Sequence, residues 1–139
     1  LLSLIQTLAD RQRVLGHSLT LDLPATLPEL ALHPKALTRA LGNLLDNAWK
    51  YGGSEIKLKV HQTVGFVFIE VCDNGAGIPE GEVERLKRPF TRLENARTNA
   101  SGTGLGLAIV ERVARAHGGQ LELLAHPSGG LIARISLRL

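Results

Sequence analysis

The chain has 139 residues, which suits a single domain, and a hydrophobic fraction of 44% is enough for a buried core. Its 16 basic and 13 acidic residues are largely interleaved, which argues against direct nucleic-acid binding. One cysteine excludes an internal disulfide framework and favours a reducing compartment, and no apolar run reaches the roughly 18 residues of a membrane span. Because the chain starts at Leu1 and contains no methionine, we expect it to be a fragment of a longer protein.

The first half of the chain predicts two helices and two strands. Apolar residues recur at helical spacing from residue 1 to about 13, and they alternate at strand spacing over 19–23. A longer helical pattern covers 34–51, with a proline in its first turn and two glycines after its end. Alternation returns over 55–60, which predicts a half-buried strand.

The second half begins with the segment 66–72, which is apolar on nearly both faces and therefore predicts a central strand after a hairpin turn at Gly65. The remaining predicted elements are a short helix within 79–90, a mobile loop over 91–103, a helix over 105–117, and strands over 120–125 and 131–138. This order predicts an α/β fold, a two-layer sandwich in which helices cover one face of a mixed sheet.

A polar stripe borders the apolar face of the helix predicted over 34–51. Asn43, Asn47 and Lys50 recur at positions i, i+4 and i+7, beside the leucines of the core face. Amide oxygens are hard ligands that suit Mg²⁺, and lysine is a point charge for phosphate. The same spacing also fits an ordinary polar helix border, so the stripe alone leaves both interpretations open.

Two glycine-rich segments flank the predicted loop. "DNGAG", which starts at Asp73, follows the central strand, and its composition is typical of a simple turn. "GTGLG", which ends at Gly106, leads directly into a helix, where free backbone N–H groups form an anion site. The second segment has neither the dinucleotide fingerprint nor the P-loop spacing. A hinge before the helix is its alternative interpretation.

Four segments in order resemble the motifs of the catalytic, ATP-binding domain of bacterial two-component sensor histidine kinases, in the superfamily of gyrase B, the heat-shock chaperone ATPase and MutL. "LGNLLDNAWKYG" is similar to the asparagine box, "DNGAGIP" to the first glycine box, "RPFTR" to the phenylalanine box and "GTGLGLAIV" to the second glycine box. The likeness is greatest to the PhoQ and EnvZ type. It implies a Bergerat-type ATP-binding fold over 1–139, with 1–15 as a candidate connection from an upstream dimerisation hairpin.

The resemblance implies an adenine pocket after the central strand. Asp73 would accept a hydrogen bond from the exocyclic amine of adenine, and the glycines at 75 and 77 would leave room for the purine. Tyr51 would pack against the rim of the base. The adenine side of the site is therefore expected to contain Tyr51, Asp73, Gly75, Gly77 and Ile78.

The resemblance also implies a triphosphate site with Mg²⁺. Asn43 and Asn47 would hold the metal and phosphate oxygens, and Lys50 would contact the phosphates. Asn47 and Lys50 are the expected catalytic residues. The residues that the resemblance adds from the loop and the second glycine box are Arg92, Arg97, Gly102, Thr103, Gly104, Leu105 and Gly106.

The implied activity is transfer of the γ-phosphoryl group of ATP to a histidine on the dimerisation and phosphoacceptor domain of the same protein, for relay to a response regulator. None of the five histidines precedes an acidic residue, so the acceptor is expected outside this chain. The full-length protein would be a homodimeric inner-membrane sensor whose catalytic domain is cytoplasmic, and no nucleic-acid partner is expected.

Three alternatives remain. An ATP-hydrolysing switch of the chaperone or repair type would resemble relatives with a water-activating glutamate at the position of Asn43, and an amide cannot act as that base. A serine kinase of the anti-sigma type shares the fold, and a nucleotide-binding module without activity is the non-enzymatic alternative. Among the residues to which the resemblance gives no role, we expect Trp49 to be a surface contact, His117 to interact with the dipole of its helix, and Cys72 to fill the core.

Overall fold

The computed structural model describes residues 1–51, 55–75, 106–125 and 129–139. Within these ranges the elements are α1 (Leu2–Val14), β1 (Leu19–Asp22), α2 (Pro34–Tyr51), β2 (Ile56–Thr63), β3 (Phe66–Asp73), α3 (Gly106–Ala116), β4 (Leu121–Ala125) and β5 (Leu131–Arg138). The structure confirms the helices predicted from residue 1 to about 13, over 34–51 and over 105–117, and it confirms the five strands. The short helix and the loop predicted over 79–103 lie outside the described residues.

The five strands form one mixed sheet in the order β1-β2-β3-β5-β4. β1 pairs parallel with β2, and the other three pairs are antiparallel. Gly65 makes the turn between β2 and β3 with φ 91, a conformation that favours glycine. β3 lies at the centre of the sheet, as its apolar composition predicted, and its C-terminal residue is Asp73.

One apolar cluster lies between the helices and the sheet. Alternate strand residues such as Val67, Ile69 and Ile135 are fully buried in it, together with Leu41 and Leu45 of α2. Side chains alternate between the two faces of a strand, so the intervening residues lie on the opposite face, away from this cluster. The sheet therefore has a helix face, defined by these buried residues, and an open face opposite to it.

α1 belongs to the same packed layer. Ile5, Leu8 and Ala9 lie in the apolar cluster, and the helix contacts α2 and β1. The connection expected between 1–15 and an upstream hairpin remains a prediction. Across the described ranges, no helix combines the length and the apolar character needed to cross a membrane.

Candidate nucleotide-binding site

Asp73 lies where the central strand leaves the sheet, on the helix face. It continues the alternation of Ile69 and Val71, and it is 7% exposed. Its Oδ1 accepts hydrogen bonds from the backbone N–H of Gly75 at 3.0 Å and of Leu131 at 3.1 Å. The first bond closes a local turn of the kind that the sequence indicates after this strand. The second comes from the start of β5, so two chain segments fix one buried carboxylate.

Gly130 lets the backbone approach Asp73 closely. A Cβ atom built on Gly130 would lie 2.1 Å from the carbonyl oxygen of Asp73, and Gly130 has φ 93. Both facts require glycine, because any side chain there would displace the strand end that holds the carboxylate. The Pro-Ser-Gly-Gly segment between the two predicted C-terminal strands is typical of a turn, and that composition alone does not indicate the close approach. Two consecutive glycines directly before a strand were the available signal.

Asn43, Asn47 and Lys50 form the expected border along α2. The two amides are half-buried and Lys50 is exposed, while the neighbouring Leu44 and Ala48 are buried. This gradation is what a stripe beside the apolar face predicts. The two amides are therefore close to the core yet accessible from one side.

The N-terminus of α3 meets α2 at Asn47. A Cβ atom built on Gly106, the first residue of α3, would lie 3.8 Å from Nδ2 of Asn47. The backbone N–H groups that open a helix have no partner within it and carry partial positive charge. An amide side chain and a helix N-terminus thus share one location, which suits an anion accompanied by a hard cation.

The structure describes part of the expected site. Asn43, Asn47, Lys50, Asp73, Gly75 and Gly106 are placed, and Tyr51 is placed by its backbone alone, as the last residue of α2. Asn47 and Gly106 are brought together. The expected residues outside the described ranges are Gly77, Ile78, Arg92, Arg97, Gly102, Thr103, Gly104 and Leu105.

Two side chains without a role in the expected site, Trp49 and His117, have surroundings that the sequence did not fully predict. Trp49 is not a surface contact, because it packs against the apolar cluster and its ring stacks on His17 with centroids 4.5 Å apart. His117 does bond a carbonyl in the last turn of its helix, as expected of a dipole partner, through Nδ1 and the oxygen of Val113 at 2.8 Å. Its ring is also buried and contacts His33, which the sequence did not indicate.

Comparisons with known proteins agree on one family. The family model described as histidine kinase-, DNA gyrase B-, and HSP90-like ATPase matches residues 32–139. The adaptive-response sensory kinase SasA of Prochlorococcus marinus is 37% identical over 112 residues, which cover 78% of this chain and 30% of SasA. The sensor histidine kinase GtrS of Pseudomonas aeruginosa is 42% identical over 106 residues, covering 76% of this chain and 21% of GtrS. The chain thus spans about a third or less of these relatives.

Solved structures of similar size match nearly the whole chain. The mycobacterial sensor histidine kinase MprB aligns with a TM-score of 0.81 and 28% identity, over 98% of this chain and 92% of the other. The histidine kinase domain of the Escherichia coli osmosensor EnvZ aligns with a TM-score of 0.75 and 33% identity, over 98% and 84%. The chain therefore belongs to the histidine kinase-, DNA gyrase B- and HSP90-like ATPase family, as a catalytic domain of the sensor histidine kinase type.

Proposed function

We propose that this domain binds ATP with Mg²⁺ and donates the γ-phosphoryl group to a histidine on the dimerisation and phosphoacceptor domain of the same sensor kinase. The proximity of Asn47 to the N-terminal residue of α3, Gly106, carries the proposal. It supports a site where metal ligands and phosphate-binding N–H groups are side by side. Holding and neutralising the triphosphate is most of what phosphoryl transfer asks of a protein.

The donor set near Asn47 fits magnesium and phosphate. Amide oxygens of Asn43 and Asn47 are ligands that Mg²⁺ accepts, and Lys50 supplies an exposed ammonium on the next turn. When bound, the metal would neutralise charge that develops on the phosphates. The protein's own contribution is to orient the triphosphate between α2 and the start of α3.

Asp73 is the proposed adenine reader. Within the described ranges both of its hydrogen bonds go to Oδ1, so we assign the adenine amine to Oδ2. Guanine presents a carbonyl where adenine presents the amine, and a buried acceptor without a donor costs roughly 1–3 kcal/mol, or about 5- to 150-fold in affinity. Equal affinity for ATP and GTP would contradict this role.

The residue at position 43 favours transfer over hydrolysis. Asn43 is half-buried on α2 beside the proposed metal site, and an amide cannot take a proton from water as a carboxylate can. We therefore propose slow hydrolysis and transfer to another acceptor. In the full-length protein we propose a homodimer in the inner membrane, with this domain in the cytoplasm and a response regulator as the next acceptor.

Calorimetric titration with ATP and Mg²⁺ tests the site. Asn47→Asp adds a negative charge beside the phosphates, so we expect affinity to fall by about tenfold or more, equivalent to about 1.4 kcal/mol. Asp46→Asn is the matched control, because Asp46 is the exposed neighbour on the same helix and should leave affinity unchanged. Unaltered affinity in Asn47→Asp would contradict the assignment.

Incubation with γ-labelled ATP tests the reaction. This domain alone should bind ATP without labelling itself, because it lacks the acceptor and forfeits a proximity term that can reach about 7–11 kcal/mol. A longer protein that includes the dimerisation hairpin should acquire acid-labile, alkali-stable label. Rapid hydrolysis by the domain alone would favour the ATPase alternative, and acid-stable label on a serine would favour the anti-sigma type of kinase.

A further inference from the structure

The end of α3 and the start of α2 are joined by a histidine ring. His117, which directly follows α3, is 7% exposed, and its Nε2 accepts a hydrogen bond of 3.1 Å from the backbone N–H of His33. His33 immediately precedes α2, and its carbonyl accepts the N–H of Leu37 at 2.9 Å, so it occupies the N-cap position. We call this ring and the N–H that it accepts the His117–His33 clasp.

Its partners define the tautomer of His117. The carbonyl oxygen of Val113 can only accept, so the ring hydrogen is on Nδ1, which lies 2.8 Å from that oxygen. In the neutral ring Nε2 is then an acceptor, which matches the N–H of His33 that faces it. The backbone of His117 is also tied to β5, because its carbonyl accepts the N–H of Arg138 at 2.9 Å. The clasp therefore links the start of α2 to a fixed point on the sheet.

The clasp and the nucleotide site lie at opposite ends of one helix pair. α2 packs against α3, the start of α2 meets the end of α3 at the clasp, and Asn47 near the end of α2 meets Gly106 at the start of α3. The two helices are therefore antiparallel, and α3, with 11 residues, is about 16 Å long. A shift at one end of two packed helices changes how their other ends meet.

We propose that His117 is a positioning residue for the nucleotide site: by holding the N-cap of α2, it sets where Asn47 lies against Gly106. The effect on ATP rests on the proposed function, whereas the effect on Asn47 and Gly106 does not. His117 touches neither of these residues, so it acts only through the helix pair. Its loss should weaken ATP binding without removing any group that contacts ATP.

Two substitutions of His117 separate its two hydrogen bonds. His117→Gln carries an acceptor as far along the side chain as Nε2, so it can keep the bond to His33. His117→Asn is shorter and can keep only the bond to Val113. We expect His117→Gln to bind ATP with Mg²⁺ like the wild type and His117→Asn to bind about 3- to 30-fold more weakly. His61→Gln replaces a histidine on the open face. It is the control, and it should leave the affinity for ATP unchanged. The reverse order of the Gln and Asn variants would show a helix-end role and overturn the proposal.

Nitrogen-15 NMR without nucleotide gives the independent measurement. The wild type should show scalar coupling across the hydrogen bond from the His33 amide to Nε2, and an Nδ1 that carries hydrogen. In His117→Asn the resonances of the Gly106 amide and the Asn47 side chain should shift, and in His117→Gln they should not. Absent coupling, or unshifted resonances in His117→Asn, would overturn the proposal even if ATP binds.

If the wild type fails to bind ATP, the proposed function fails while these shifts still test the clasp. Should His117→Asn not fold, a change in the wild-type coupling on saturation with ATP supports the proposal, and constancy overturns it.

Discussion

The helix face and the open face of the sheet differ in chemistry although alternate residues of the same strands supply both. On the helix face, Ile69 and Val71 of β3 are buried among the leucines of α2. Glu70, which lies between these two residues in the sequence, is on the open face. It belongs to a row of side chains of alternating charge that crosses all five strands. The residues of this charge row, in sheet order, are Asp22, Lys59, Glu70, Arg134 and Glu122.

The expected site residues lie on the helix face or in the helices themselves. Asp73 continues the helix-face alternation of β3, and Asn47 and Gly106 belong to α2 and α3. The described residues of the candidate site therefore belong to the helices and to the helix face of the sheet. The open face contributes none of the expected residues that the structure places. The helix face thus supplies both the apolar cluster and the sheet's part of the candidate site, while the open face supports the sheet with ion pairs.

The largest expected effect compares two consecutive residues of β3. Ile69 is 0% exposed on the helix face, so Ile69→Ala should lower the free energy of unfolding by about 2–5 kcal/mol. Phe68, half-buried on the open face between His61 and Arg134, should cost about 1–2 kcal/mol as Phe68→Ala. Urea unfolding monitored by circular dichroism measures both. Equal losses would mean that the open face contributes as much to stability as the helix face.

The next prediction concerns the glycine that adjoins Asp73. Gly129 and Gly130 have φ 97 and 93, so alanine at either should cost about 1–2 kcal/mol of conformational strain. Only Gly130 has the close approach to the carbonyl of Asp73, so Gly130→Ala should cost about 1–3 kcal/mol more.

The same glycine pair separates site geometry from stability. Gly130→Ala should weaken ATP binding because it displaces the strand end that holds the Asp73 carboxylate, and Gly129→Ala should not. Thermal unfolding and calorimetric titration of both variants provide the measurements. Matching affinities in the two variants would contradict a role for the close approach at Gly130 in the site.

A smaller effect on stability is expected for the charge row. The loss in unfolding free energy should decrease from the centre of the row to its edge. Glu70 is 5% exposed, and its Oε2 accepts a hydrogen bond of 2.8 Å from Nε of Arg134. Glu70→Gln leaves that guanidinium beside a neutral group, so we expect a loss of about 1–3 kcal/mol in unfolding free energy. Asp22 pairs with Lys57 at 3.8 Å with both side chains about half exposed, so Asp22→Asn should cost about 0–1 kcal/mol. Equal losses in Glu70→Gln and Asp22→Asn would show that burial does not determine how much these ion pairs stabilise the fold.

The sequence predicted what depends on neighbours along the chain. The bounds of α2 and the placement of Asn47 beside its apolar face follow from helical spacing, and the exit of β3 at Asp73 follows from an apolar run that ends in turn residues. The family resemblance then supplied the chemistry of these residues. Those residues could be named because each signal lies within about four positions or a single strand.

The contacts that the sequence did not predict join residues that are far apart in the chain. Glu70 and Arg134 are 64 positions apart, the Leu131 amide and Asp73 are 58 apart, and His33 and His117 are 84 apart. Each pairing depends on the order of the strands and on which helix ends meet. Local periodicity does not encode that order, so a lone buried glutamate in an apolar strand gave no indication of its partner.

The smallest expected effect is on the reactivity of the single cysteine. The prediction that Cys72 fills the core is wrong, because it is half-buried on the open face between Lys57 and Ile132, outside the apolar cluster. Burial raises the pKa of the Cys72 thiol, and the nearby charge of Glu70 raises it further, against the opposing effect of the lysines at 57 and 59. The thiolate is the nucleophile, so alkylation by iodoacetamide at neutral pH should be slower in the folded protein than after unfolding. Glu70→Gln removes one cause of the raised pKa, so it should lower the pKa and speed alkylation at a fixed pH. Glu122→Gln changes a charge of the same row on β4, two strands away from Cys72, and it should leave the rate unchanged. A pH profile of the alkylation rate that is the same in Glu70→Gln and in the wild type would contradict the contribution of Glu70 to the raised pKa.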